Sequence, residues 1–84
     1  MQNDVLGFYY NDVQQEDVDK GLVDVLTKLL EENNISVLDH NYDEENEQLK
    51  FDVINNDKTR KPGDLMVLKT DIKYEAYDKI GSTW

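Results

Sequence analysis

Carboxylates are the side chains through which this chain is best equipped to act. The sequence holds nineteen Asp and Glu against nine Lys and Arg, for a formal net charge of −10. Residues 1–57 hold fifteen of these acids and three of the bases, a net charge of −12, whereas residues 58–84 have a net charge of +2. Such a field attracts basic protein surfaces and repels nucleic acid and anionic membranes. The alternative is that acidity only keeps a small protein in solution.

Nucleophilic catalysis needs a nucleophile, a base and an orienting group. The chain has no cysteine, one histidine, His40, and two serines, Ser36 and Ser82. Ser36 and His40 fall in one predicted strand and are expected on the same face, where four residues separate them by roughly 13 Å. We therefore expect a binding protein rather than an enzyme, with His40 as a surface residue.

A calcium loop is the metal site that the sequence comes closest to encoding. Asp39, Asn41 and Asp43 match the first, third and fifth positions of an EF-hand loop. The sixth position should be glycine and is Glu44, and the twelfth should be glutamate and is Lys50. The sequence therefore predicts neither a metal site nor a cofactor.

A basic cluster lies in the second half of the chain, at Lys58, Arg60 and Lys61. Three cations in one loop could contact phosphate. The net charge of −10 opposes nucleic acid, so we expect these side chains to be solvated rather than to bind nucleic acid.

The elements that position these residues begin with a predicted strand over residues 5–10. One helix is then predicted from Val13 to Glu32, opened by a capping box of Asp12 and Gln15. Gly21 is a weak point inside this helix. Its apolar side chains recur at helical spacing and form one stripe, namely Val18, Leu22, Val25, Leu26 and Leu29.

The rest of the chain is predicted to be extended. Residues 35–40 and 48–54 read as a hairpin, in which Leu49, Phe51 and Val53 share one face. A loop over residues 55–64 follows, and residues 65–77 are predicted as one long strand or two short ones. A final strand of this kind would leave an exposed sheet edge, which makes a homodimer an expectation.

These elements predict an α+β fold in which one amphipathic helix packs on a small antiparallel sheet, in the order β-α-β-β-β. The length favours one domain, residues 1–84. No apolar run is long enough to cross a membrane and no secretory signal is evident, so we expect a cytoplasmic protein.

Carboxylates three or four residues apart on a helix lie about 5–6 Å from each other, much like successive phosphates along a nucleic-acid strand. We expect the acids of the helix and of the following hairpin to form one anionic patch. The predicted partner-binding residues are Glu16, Asp17, Asp19, Asp24, Asp39, Asp43, Glu44, Glu45 and Glu47.

In size, charge and charge arrangement the chain resembles the phage-encoded DNA-mimic inhibitors used in host takeover. The resemblance implies a cytoplasmic inhibitor that covers the DNA-binding surface of a basic host protein, such as a nucleoid protein, a nuclease, or a repair or transcription factor. Alternatives are an immunity protein or antitoxin against a basic toxin, and a small assembly subunit.

The aromatic side chains distinguish the last alternative. Exposed aromatics would mark an assembly or dimer interface, whereas ordinary core packing would bury them. The residues concerned are Phe8, Tyr9, Tyr10, Tyr74, Tyr77 and Trp84.

Overall fold

A three-stranded antiparallel sheet in the order β1-β3-β2 organises the chain. The computed structural model describes residues 4–82. Its strands are β1, Leu6–Tyr10, β2, Ile35–Asp43, and β3, Gln48–Asn55. Strand β3 lies in the centre, and its alternation buries one face while the other face, with Lys50 and Asp52, stays partly exposed. The predicted α+β class is confirmed.

Three helices supply the rest of the core: α1, Gln15–Asp19, α2, Leu22–Glu32, and α3, Pro62–Lys79. Side chains of α2 and α3 join the inner faces of β1 and β3 in one buried apolar cluster. The helices therefore cover one face of the sheet. The opposite face carries exposed Tyr9 and Leu38.

The prediction of one continuous helix from Val13 to Glu32 is wrong. Gly21 adopts φ +96°, a left-handed conformation that separates α1 from α2. The break lets Val13 and Leu22 both reach the core, where each is fully buried. The predicted capping box of Asp12 and Gln15 is also wrong, because α1 begins at Gln15, and Asp12 lies in a bend before it with φ +58°.

Replacing Gly21 with alanine should destabilise the fold by about 1 kcal/mol, because an L side chain is strained at this φ. A Cβ placed there would meet no atom within 4 Å, so the loss comes from the backbone alone. Gly63→Ala is the control, since a Cβ there also meets nothing within 4 Å and its φ is not left-handed. Urea denaturation measures both, and equal stabilities of the two variants would contradict this account.

The C-terminal part of the chain is a helix, and the prediction of extended structure over residues 65–77 is wrong. Pro62 occupies the first turn of α3, and the Asp64 carboxylate accepts a hydrogen bond from the Lys61 backbone N–H at 3.2 Å. The side chains that face the core recur every three or four residues. They are Leu65, Leu68, Ile72, Ala76 and Ile80.

Two features of α3 conceal its helical pattern in the sequence. Lys73 lies on the inner face and is only 3% exposed, while Met66, Val67 and Tyr74 on the outer face are 59%, 62% and 57% exposed. The order is therefore β-α-α-β-β-α, and within residues 4–82 no strand follows β3, so the predicted edge strand over residues 65–77 is wrong. The sheet edges are β1 and β2 instead.

The second strand is longer than predicted. It continues past His40 to Asp43, and the turn to β3 occupies only residues 44–47. A β-bulge interrupts the pairing of β2 with β3 between Val37 and Asp39. Helix α2 ends where predicted, since Asn33 caps it and Asn34 takes a left-handed φ of +61°.

The aromatic residues divide between the core and the surface. Phe8, Tyr10 and Tyr77 are buried, whereas Tyr9 and Tyr74 are exposed. Trp84 lies outside the described residues. Within residues 4–82, no helix combines the length and the apolar character needed to cross a membrane.

Lys73 is a lysine buried among aromatic rings. Its Nζ donates a hydrogen bond to the Asn11 carbonyl at 2.8 Å and lies 5.9 Å and 5.7 Å from the ring centroids of Tyr10 and Tyr77. Burial lowers the pKa of Lys73 to about 8; the charge of Lys69 adds to this effect and that of Asp12 opposes it.

The free energy of unfolding should therefore rise between about pH 8 and pH 10. In this range the unfolded chain keeps the Lys73 proton that the folded chain releases, so raising the pH favours the folded state. Above about pH 10 the trend reverses, because burial raises the pKa of Tyr77 to about 12 and that of Tyr10 further. Lys73→Met should remove about 1–2 kcal/mol of the rise.

Urea denaturation at several pH values measures this rise. Lys79→Met is the matched control because Lys79 is exposed on the same helix. A wild-type stability that is flat across this range, or a rise that Lys79→Met also removes, would show that Lys73 is not its source.

Candidate functional site

The tip of the β2–β3 hairpin is held by its own acidic side chains. The Asp43 carboxylate accepts hydrogen bonds from the Asn46 side chain at 2.6 Å and from the Asn46 backbone N–H at 3.2 Å. These bonds, chiefly the one from the Asn46 side chain, lower the pKa of Asp43. Asp43 therefore stays ionised over a wide pH range. Glu47 closes the turn with a left-handed φ of +53°.

This tip is fastened to the segment that precedes α1. The Val13 N–H donates a hydrogen bond to the Glu47 carbonyl at 2.8 Å, and the Tyr42 hydroxyl donates to the Val13 carbonyl at 2.7 Å. The Gln48 side-chain amide also donates to the Asn11 side chain at 3.0 Å. The hairpin and α1 are thereby brought to the same end of the molecule.

The pKa of Tyr42 depends on carboxylates at this end of the molecule. This pKa is raised by desolvation first, and then by the negative charges of four carboxylates. They come from both elements, and we refer to them as the tip cluster: Asp17, Asp43, Glu44 and Glu47. Asp17 is buried on α1, whereas Glu44 is exposed.

Three more of the predicted acids belong to the elements that carry the tip cluster. Glu45 is exposed in the same turn as Glu44. Glu16 and Asp19 are exposed on α1, where Asp19 accepts a hydrogen bond from the Gln15 side chain at 2.9 Å. Seven of the nine predicted residues thus lie on the hairpin turn, the adjoining end of β2 or α1.

The remaining two predicted residues lie elsewhere. Asp24 is exposed on α2, in a depression that Lys28 and Lys79 also line. Asp39 lies on the open face of the sheet, directly opposite Asp52, four strand positions before Asp43 and so roughly 13 Å from it. Neither is part of the tip cluster.

The basic loop lies at the far end of β3 from the tip. Eight residues of strand, Gln48–Asn55, separate the two by roughly 25 Å. Within the loop, Arg60 donates to the Asn55 side chain at 3.0 Å and its Nε lies 3.8 Å from an Asp57 carboxylate oxygen. The Asp57 carboxylate also accepts hydrogen bonds from the Thr59 hydroxyl and N–H, at 2.6 Å and 3.0 Å. Arg60 and its neighbours therefore build this turn.

The tip cluster and the basic loop thus lie at opposite ends of β3. The long dimension of the molecule is 40 Å, against 23 Å and 19 Å for the other two. The ion pairs that Lys50 makes with Asp52 and Arg60 makes with Asp57 use carboxylates outside the nine predicted residues. Neither of these ion pairs neutralises a carboxylate of the tip cluster.

The other candidates for chemistry are not assembled by the fold. The β-bulge places Ser36 and His40 on opposite faces of β2, because Ser36 pairs with Ile54 and His40 with the buried Phe51. The expectation that they share a face is therefore wrong. The His40 ring lies 6.2 Å from that of Phe51, and Ser36 accepts a hydrogen bond from Asn56 at 2.7 Å.

The three residues that match a calcium loop lie along one strand. Asp39, Asn41 and Asp43 alternate on the open face of β2, opposite Asp52, Lys50 and Gln48. An extended strand spaces such residues about 6.6 Å apart, so their oxygens cannot wrap around one ion. Among residues 4–82, no three or more acidic or imidazole side chains are grouped closely enough to hold a metal ion.

Sequence reasoning missed the two residues that organise these surfaces. The sequence predicts Tyr42 between the two hairpin strands, whereas its place opposite Leu49 puts it on the inner face of β2. The sequence predicts Lys69 in a strand, although Lys69 precedes Lys73 by four residues among apolar residues at helical spacing. The four-residue spacing of Lys69 and Lys73 is the signal in the sequence that places both lysines on one face of a helix.

No family model, curated protein or solved structure matches this chain. Its function is therefore inferred from the positions and charges of its own residues.

Tyr42→Phe should destabilise the fold by about 1 kcal/mol, because it removes the hydrogen bond that the hydroxyl donates to the Val13 carbonyl. Urea denaturation measures the loss. Amide hydrogen exchange locates it, since the Val13 N–H should exchange faster once the tip is loosened. Unchanged exchange at Val13 would show that Tyr42 does not fasten the tip to α1.

Proposed function

We propose that this chain is an acidic inhibitor that binds a basic protein and occupies the surface with which that protein binds DNA. The observation that carries the proposal is the tip cluster, in which carboxylates from the hairpin and from α1 all raise the pKa of one tyrosine hydroxyl. A surface of fixed negative charges can replace the phosphates of a DNA backbone in contacts with Lys and Arg.

The distance between the basic loop and the tip supports the same proposal. The basic loop is roughly 25 Å from the tip, which is more than two Debye lengths at physiological salt. The loop therefore does little to screen the acids of the tip. A basic partner approaching from solvent meets Glu16, Glu44 and Glu45, all of which are exposed.

The fixed geometry of the tip also favours binding. The hydrogen bond to the Asp43 carboxylate holds the hairpin turn, and the one from the Tyr42 hydroxyl holds the segment before α1, before a partner binds. Binding then loses less conformational entropy than it would with a flexible acidic tail. The proposed partner is a basic cytoplasmic DNA-binding protein, such as a nucleoid protein, nuclease, or repair or transcription factor. If the chain is phage-encoded, the inhibitor and its partner both act in the host cytoplasm.

Paired charge reversals test whether the tip is the binding surface. Glu44→Lys/Glu45→Lys alters the tip, and Glu31→Lys/Glu32→Lys is its matched control, with the same change in net charge. Glu31 and Glu32 are exposed at the C-terminal end of α2, and the backbone bond from Asn56 to Asn34 ties the adjoining turn to the opposite end of the sheet.

The immobilised chain should capture basic DNA-binding proteins from bacterial lysate at low salt, and duplex DNA should release them. Affinity for the captured protein should fall at least tenfold in the tip variant and change much less in the control. It should also fall steeply as salt rises. An equal loss in both variants would mean that net charge alone drives capture, and no loss in either would contradict the proposal.

The outer face of α3 supports a second candidate, a small assembly subunit. Met66 and Val67 are more than half exposed near one end of the helix and Tyr74 near the other. An interface made there would bury apolar area and would depend little on salt. Salt dependence of partner binding therefore separates the two candidates. An immunity protein or antitoxin against a basic toxin would use the tip in the same way as the inhibitor.

A further inference from the structure

A groove lies between the end of β1 and the middle of α3, on surfaces that the tip cluster does not use. Its volume is about 300 Å³. The side chains that line it include two aromatic rings, a thioether, a hydroxyl and two ammonium groups. They are Tyr9, Tyr10, Met66, Thr70, Lys69 and Lys73.

Both lysines of the groove lie against the same ring. Lys69 Nζ is 5.5 Å and Lys73 Nζ is 5.9 Å from the centroid of Tyr10. Each also donates a hydrogen bond of 2.8 Å to a backbone carbonyl, Lys69 to that of Tyr9 in β1 and Lys73 to that of Asn11 directly after β1. These bonds fix the positions of two positive charges at one wall of the groove.

The two charges are held there at an energetic cost. Burial lowers the pKa of both lysines; at Lys73 the charge of Asp12 opposes this effect and the smaller contribution of Lys69 adds to it. An anion between two like charges in a partly desolvated site relieves this repulsion. An ammonium group has three N–H donors, and Lys69 uses one of them on Tyr9, so donors remain for a ligand.

From this arrangement we propose that the groove binds a small carboxylate with an apolar body, its carboxylate at the ammonium group of Lys69 and within the positive field of the buried Lys73. The ring of Tyr10 and the side chain of Met66 provide the apolar wall. The volume lies at the lower end of the range for small-molecule sites, so the ligand is small.

A single negative charge suits the groove better than several. Asp12 lines the same groove, and the chain as a whole carries a net charge of −10. Both repel a multiply charged anion more strongly than a monocarboxylate. The proposal stands independently of the inhibitor function, because the tip cluster shares none of these residues.

Titration with phenylacetate, followed by amide NMR, tests the proposal. Saturable shifts should be confined to residues 9–12 and 66–73. Phenylacetamide, which has the same shape and no charge, should bind at least about tenfold more weakly. Inorganic phosphate should also bind more weakly than phenylacetate. Tighter binding of phosphate, or equal binding of the amide, would overturn the assignment of the ligand.

Lys69→Gln should weaken phenylacetate binding about tenfold or more, since it removes one of the two charges. Lys69→Arg should retain most of the affinity. Lys79→Gln is the matched control, because Lys79 is exposed on the same helix and does not line the groove, and it should change the affinity less than about twofold. Wild-type affinity in Lys69→Gln, with its spectrum showing an intact fold, would contradict the proposal.

Discussion

Strand β3 pairs with both of its neighbours, and its alternate side chains Leu49, Phe51 and Val53 are fully buried beneath the helices. A central strand that is paired on both sides fixes the positions of the two turns at its ends. Residues 44–47 turn at one end and the basic loop turns at the other, so the tip cluster and the basic loop are separated by the length of the strand. Helix α3 then returns along the edge of β1, which places Lys69 and Lys73 beside Tyr10. The anionic tip and the cationic groove therefore both follow from the position of β3.

The sequence was sufficient for the elements whose pattern matches their burial. The alternation in β3 and the stripe of α2 predicted both elements and their inner faces, because their inward positions are apolar. The sequence was insufficient where a polar side chain is buried or an apolar side chain is exposed. Helix α3 buries Lys73 and exposes Val67, so its apolar period is hidden, and the sequence predicts extended structure over residues 65–77 instead. The break at Gly21 is predicted only as a weak point, since no local pattern shows that its left-handed φ lets Val13 and Leu22 both reach the core.

The acidic site could be predicted in part. Composition identified the carboxylates of the hairpin and of α1, and their joining depends on hydrogen bonds between segments nearly thirty residues apart, such as that from Tyr42 to Val13. No local pattern encodes such a contact. Asp24 and Asp39 were grouped with the others on charge alone, and the fold separates them. The structure distinguishes the acids that lie at one end of the molecule from those that share only their negative charge.

The acid–base titration of Tyr42 tests the convergence of the carboxylates most directly. At low ionic strength, about 20 mM NaCl, the pKa of its hydroxyl should lie above the ordinary tyrosine value, because desolvation and the charges of Asp17, Asp43, Glu44 and Glu47 both raise it. At about 500 mM NaCl the contribution of the charges should be screened, so the pKa should fall while the contribution of desolvation remains. NMR of the Tyr42 ring carbons measures both values. A pKa that does not change with salt would show that the carboxylates of the hairpin and of α1 do not meet around this residue.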